Sequence, residues 1–220
     1  MRGLELTGTV QPAVLPYIER MIRNKDNGIE EVKVHSVLLS LKHAALLDDT
    51  LRRVRSLRIE CASEDDFRLL AESFERTKAH GDNLVRLRVH SAFHAMATLE
   101  RILRSRPNLQ ILNLDMELSL STFVVLCPGF ASSVLTTLKV GVRLETAVED
   151  KTLADGVEML LQHPTIRDVD LAVVLFRAIR PTSQMEGDSV YHFERCVAEG
   201  LRSTSLRRFH LTVEGFEDES

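Results

Sequence analysis

Apolar residues recur along the chain in one fixed hexad, Φ-x-x-Φ-x-Φ, in which Φ is aliphatic or Phe. It begins at Met1 (MRGLEL), Ile29 (IEEVKV), Val54 (VRSLRI), Leu84 (LVRLRV), Leu109 (LQILNL), Leu135 (LTTLKV), Ile166 (IRDVDL) and Leu206 (LRRFHL). Successive copies are offset by 28, 25, 30, 25, 26, 31 and 40 residues. The Φ-x-Φ at the end of each hexad has the two-residue period of a strand with one buried face. Turn signals precede several copies: Asn27 with Gly28, Asp82 with Asn83, Pro107 with Asn108, and Pro164 with Thr165.

Between the hexads the apolar period lengthens to that of a helix. Ser63 opens one with a capping-box pattern completed by Asp66, and Phe67, Leu70, Ala71 and Phe74 then fall on one face. Leu153, Val157, Leu160 and Leu161 form a second stripe, and Val190, Phe193, Val197 and Leu201 a third. Ile18, Met21 and Ile22 follow Pro16, a residue suited to a first helical turn. Each unit is therefore a short strand followed by a helix, and neither buries its apolar face alone. The chain is expected to stack about eight irregular units around one continuous core, with parallel strands about 4.8 Å apart and right-handed returns.

These hexads resemble the leucine-rich-repeat superfamily in its ribonuclease-inhibitor-like, strand-plus-helix form. The resemblance covers nearly the whole chain and implies an α/β fold, a curved parallel sheet with helices on its convex side. The family's Asn or Cys three residues past the last Φ is absent, replaced by Thr9, Val37, Ala62, Ala92, Glu117, Arg143 and Val174. Such irregularity is similar to the degenerate repeats of F-box proteins, although no F-box motif is present in the sequence. A single repeat domain over 1–213 is expected, with an acidic, disordered tail over 214–220. The pattern is already under way at Met1, so the chain is expected to be an excerpt of a longer protein or to cover its first edge with a partner.

Alternation fixes which residues face out. The third positions are Gly3, Glu31, Ser56, Arg86, Ile111, Thr137, Asp168 and Arg208. The fifth are Glu5, Lys33, Arg58, Arg88, Asn113, Lys139, Asp170 and His210, and the seventh Thr7, His35, Glu60, His90, Asp115, Gly141, Ala172 and Thr212. A basic zone of Lys33, Arg58, Arg86, Arg88 and Lys139 is followed by the acidic pair Asp168 and Asp170. Arginine holds carboxylate or phosphate bidentately, so this face is read as a docking surface for a partner protein with an acidic or phosphorylated segment. The plainer reading is a solvated face carrying charge for solubility. His35, Glu60, His90 and Asp115 form an alternating column suited to a hydrogen-bond ladder, with a pH-sensitive partner contact and a metal site as alternatives. Three outer strands span about 9.6 Å, so three of these side chains could just converge on one ion and four could not.

Composition narrows the function classes. Lys and Arg total 28 against 32 Asp and Glu, a net charge of −4, which argues against nucleic acid and anionic membranes as partners. Cys61, Cys127 and Cys196 are too few and scattered for a disulfide framework, so a reduced cytoplasmic or nuclear setting is expected. The uncharged stretch from Leu118 to Leu138 contains Pro128, Gly129 and seven Ser or Thr, and reads as repeat interior rather than a membrane span. Cys61, next to Glu60 and one strand from His90, sits at an inward position, where it is a small hydrophobe rather than a nucleophile. No phosphate-binding loop, HExxH or GxSxG occurs, and no cofactor is implied. Loop-like RPTSQMEGDS at 180–189 follows strand-like LAVVLF at 171–176, which is expected to outrun its neighbours. The favoured function is a protein-interaction module that binds through its concave sheet, with substrate recognition in an F-box-type ubiquitin ligase as its specific form. Regulation or inhibition of a partner enzyme, ribonuclease-inhibitor-like or GTPase-activating, is the second reading, and a metal-binding or hydrolytic enzyme the remote one.

Overall fold

All eight hexads form strands, and each strand begins at or just before the third residue of its hexad. They are β1 (Arg2–Thr7), β2 (Ile29–His35), β3 (Ser56–Cys61), β4 (Arg86–Ser91), β5 (Ile111–Ser119), β6 (Thr137–Leu144), β7 (Asp168–Leu175) and β8 (Arg208–Gly215). Among the described residues six helices alternate with them: α1 (Leu15–Arg23), α2 (Ala44–Arg53), α3 (Glu64–Thr77), α4 (Met96–Ser105), α5 (Leu120–Ala131) and α6 (Asp150–Leu161). The computed structural model describes residues 2–7, 13–35, 44–61, 63–78, 83–91, 96–106, 108–131, 134–144, 150–175, 198, 202 and 206–215. The helix expected from the Val190 stripe and the excursion at 180–189 lie outside the described residues. The described residues form an α/β fold in which parallel strands alternate with helices, as the hexads predict, in two compact units, Met1–Met116 and Glu117–Ser220.

In the first unit β1 to β5 pair side by side in parallel and in chain order. The registers equate Leu57 with Leu87 and Leu112, and Ile59 with Val89 and Leu114. All six of these side chains are buried, as are Val54, Leu84 and Leu109 at the first hexad position. Burying a Leu, Ile or Val side chain is worth about 1.5–3 kcal/mol, so the hexad phase is what holds the register. The backbone repeats the same phase: the second-position amides of Arg55, Val85 and Gln110 donate to the second-position carbonyls of Glu30, Arg55 and Val85, at 2.9, 2.9 and 3.0 Å. Leu4 and Leu6 on β1 are only half-buried, β1 pairing with β2 alone among the described residues.

The helices follow from local chemistry. Ser63 caps α3 as its sequence predicts: its Oγ accepts from the Asp66 amide at 3.1 Å, and Asp66 Oδ2 accepts from the Ser63 amide at 3.0 Å. Phe67, Leu70, Ala71 and Phe74 are all fully buried. On α1, Ile18 and Ile22 are buried but Met21 is 44% exposed, so the expected stripe is narrower than three residues. Gly28, just before β2, has φ +58°, a conformation glycine adopts without steric cost. Arg106, after α4, is the largest fully buried side chain. It donates from Nη1 to the Ser105 carbonyl at 3.0 Å and from Nη2 to Thr77 Oγ1, and lies 5.0 Å from the Phe74 ring centroid.

In the second unit β6, β7 and β8 pair in parallel, with Val140 opposite Leu171 and Leu171 opposite Leu211. The amides of Arg167 and Arg207 continue the second-position pattern, to Thr136 and Arg167 carbonyls at 2.9 and 2.7 Å. As far as Leu175 the β7 strand stays level with its neighbours, Val174 and Leu175 pairing with Arg143 and Leu144 on one side and Glu214 and Gly215 on the other, and Phe176 lies outside the described residues. Strand β8 thus occupies the first two residues of the expected tail, and 216–220 lie outside the described residues. Helix α5 runs through Pro128 and Gly129. It packs on α6 at Gly156, where an added Cβ would lie 3.0 Å from Phe123 and 3.5 Å from Cys127 Sγ. Among the described residues, no helix is long and apolar enough to cross a membrane.

Candidate functional site

Pairing turns the predicted columns into neighbours. In the first unit Gly3, Glu31, Ser56, Arg86 and Ile111 are successive register partners, as are Glu5, Lys33, Arg58, Arg88 and Asn113. Glu60, His90 and Asp115 follow in the same way, and Thr7 lies opposite His35, whose side chain is outside the described residues. In the second unit Thr137, Asp168 and Arg208 align, then Lys139, Asp170 and His210, then Gly141, Ala172 and Thr212.

Side-chain contacts divide the charged residues into those held within the sheet face and those left outward. Lys33 Nζ is 3.9 Å from Glu31, which also accepts from Ser56 Oγ at 3.4 Å. Arg88 donates to Asp115 from Nε at 2.7 Å and also from Nη2. In the second unit Lys139 Nζ is 3.3 Å and His210 Nδ1 3.1 Å from Asp170, and Arg208 Nε is 3.5 Å from Asp168. Burial opposes the charge on Asp170, but hydrogen bonds from His210 and Lys139 outweigh it and hold the carboxyl below its ordinary range. The expected acidic pair is therefore neutralised by its own neighbours.

Arg58 and Arg86 differ from the rest. They stand diagonally on β3 and β4, Arg58 half-exposed and Arg86 exposed, and neither has an ion-pair partner among the described residues. Strands about 4.8 Å apart place both guanidinium groups within reach of one anion. Arg58 also lies between Lys33 and Arg88 in register, and those two face the carboxylates of Glu31 and Asp115, which leaves Arg58 and Arg86 as the outward cations of this zone. Asn113, opposite Arg88, keeps its side-chain oxygen buried without a donor among the described residues.

At its last step the seventh column departs from the ladder its alternation predicts. Asp115 turns to Arg88 of the fifth column rather than to its register partner His90, and so gains a charge-assisted bond to a permanently charged guanidinium. Glu60 is half-exposed and engaged, and His90 is exposed. Among the described residues no three His, Cys, Asp or Glu are grouped to hold a metal ion. Cys61 points inward, and burial, with Asp66 and Glu60 adding to it, pushes its thiol up to about 12, far from a poised nucleophile. A ninth column was missed by the sequence reading. Glu117 and Arg143, noted there only for departing from the family's Asn or Cys, form an ion pair at 3.4 Å.

No protein-family model and no curated protein matches the sequence. Among solved structures the chain is similar to the leucine-rich repeat-containing protein LegL7 from Legionella pneumophila, at 11% identity and a TM-score of 0.38, over 96% of this chain and 91% of that one.

Proposed function

We propose that the protein is an interaction module whose first-unit sheet face docks an extended acidic or phosphorylated segment of a partner protein. The observation that carries this reading is the pair Arg58 and Arg86, left without carboxylates while Lys33 and Arg88 lie against Glu31 and Asp115. Two uncompensated guanidinium groups on adjacent strands repel each other, and a phosphate or a carboxylate pair relieves that repulsion. A charge-assisted hydrogen bond contributes about 1.5–3 kcal/mol, so two arginines supply about 3–6 of the roughly 8 kcal/mol that a micromolar contact needs, and the rest comes from the strand face along which the segment lies. Substrate recognition within an F-box-type ubiquitin ligase, which the repeat resemblance implies, is one use of such a face.

The test is selection from a random peptide library and its phosphoserine counterpart over immobilised protein. Enrichment of acidic or phosphorylated sequences that is lost with Arg58→Glu/Arg86→Glu supports the reading. Enrichment indifferent to that double change, or of neutral sequences, overturns it.

A further inference from the structure

The outer helix faces carry a second surface. In the first unit, neighbouring helices are bridged by arginine–carboxylate pairs: Arg23 with Asp49, Arg76 with Asp48, and Arg101 with Glu75. Helix α5 contains no charged residue with which to make such a bridge. Its solvent side is Ser121, Val125 and Pro128, flanked by half-exposed Val124 and Gly129. Val125 is 48% exposed, Val134 just beyond the helix 45%, and Met159 on α6 42%. Gly156 of α6 lies against Phe123 and Cys127 of α5, and the exposed Asp155 and Met159 stand one residue before and three after that contact. The described charged side chains on α6 are both acidic: Asp155, exposed, and Glu158, half-exposed. An apolar patch with carboxylates beside it marks a contact surface rather than a solvated one.

Helix α1 has the complementary character. Val14, Tyr17 and Met21 are 45%, 65% and 44% exposed. Their i, i+3, i+7 spacing makes an apolar ridge on the side away from buried Leu15, Ile18 and Ile22. Arg20 stands exposed beside Tyr17, with no ion-pair partner among the described residues.

We propose that α1 of one copy of this chain docks on the α5–α6 face of a second copy, with Arg20 meeting Asp155. Each copy offers both halves of this contact, so it is heterologous and repeats head to tail. The ridge is only a few side chains long, which places the contact below about 1,200 Å² and makes association weak and concentration-dependent.

Sedimentation velocity on the full chain, from low micromolar to several hundred micromolar, tests this. The wild type should grow past dimers as concentration rises, and Tyr17→Glu and Val125→Glu should each remain monomeric with unchanged circular dichroism and melting temperature. An equimolar mixture of those two variants keeps one intact ridge and one intact face, so it should form dimers and nothing larger. Arg20→Asp should weaken association about tenfold, and Asp155→Arg in the same chain should restore it. A wild type that stays monomeric throughout overturns the proposal, as does association indifferent to Tyr17→Glu and Val125→Glu, or a mixture that stays monomeric. A monomeric wild type whose binding to neutral lipid vesicles is abolished by Val125→Glu would also overturn it, by assigning the face to a membrane.

Discussion

Arg88 on β4 and Asp115 on β5 are ion-paired although they are not register partners; Arg88 lies opposite Asn113, and its guanidinium crosses diagonally to the carboxylate. This bond settles two matters at once. It removes Asp115 from the His35–Asp115 column, and it removes Arg88 from the cations available to a partner. Arg88 is thus a poor probe of binding, since changing it also disturbs the sheet.

A double-mutant cycle with Arg88→Ala and Asp115→Asn should give a coupling of about 0.5–1 kcal/mol in urea unfolding, the range for a partly exposed pair. The side chains are 40% and 19% exposed, which sets the upper end of that range. Zero coupling would mean the pair does not hold in solution.

Gly156→Val should destabilise the protein by about 1–3 kcal/mol, read from the midpoint of urea unfolding. An added Cβ would stand 3.0 Å from Phe123 Cε1, and valine adds two methyl groups beyond it, in a helix that on intrinsic propensity alone favours valine over glycine. Stabilisation by this change would show that α5 and α6 are not in such close contact.

Burial pushes the Cys61 and Cys127 thiols up to about 12. In a Cys196→Ser background, neither should react with a thiol reagent at pH 8 in the native protein, and both should react at once in denaturant. Their folded values exceed the ordinary 9.0, so the stability they contribute is complete below that value and declines as pH rises toward about 12. Prompt labelling of either native thiol would contradict the inward placement.

Asp170 has the opposite sign. Its folded carboxyl titrates below the ordinary 3.8, so its contribution is full above that pH and is lost as pH falls through the depressed value. Between about pH 5 and 2.5 the wild type should lose more stability than Asp170→Asn, by at most about 1 kcal/mol because the side chain is well solvated. Parallel pH curves would show that Lys139 and His210 do not hold it.

The architecture was legible because a two-residue period in eight phased hexads leaves one register that buries them all. Residue by residue, the third, fifth and seventh columns follow from that register, and Leu57, Leu87 and Leu112 meet as the phase requires. Pairing within those columns was not legible. Alternating types suggested that His90 would satisfy Asp115, but the reach of an arginine side chain lets it bond diagonally, and sequence spacing carries no information about that choice. Met21 was misread because an isolated apolar stripe cannot show which of its members meets the neighbouring helix. The Glu117–Arg143 pair had a readable signal, since opposite charges occupy the ninth position of consecutive repeats.

The most direct test of the docking surface is fluorescence anisotropy of a labelled Asp/Glu-rich peptide and its phosphoserine version, titrated with wild type and Arg58→Glu/Arg86→Glu. The account predicts micromolar binding of at least one probe, weakening with salt, reduced more than tenfold in the double variant while its unfolding free energy stays within about 0.5 kcal/mol of wild type. Equal affinity in both proteins, or loss of binding that only accompanies loss of fold, would contradict it.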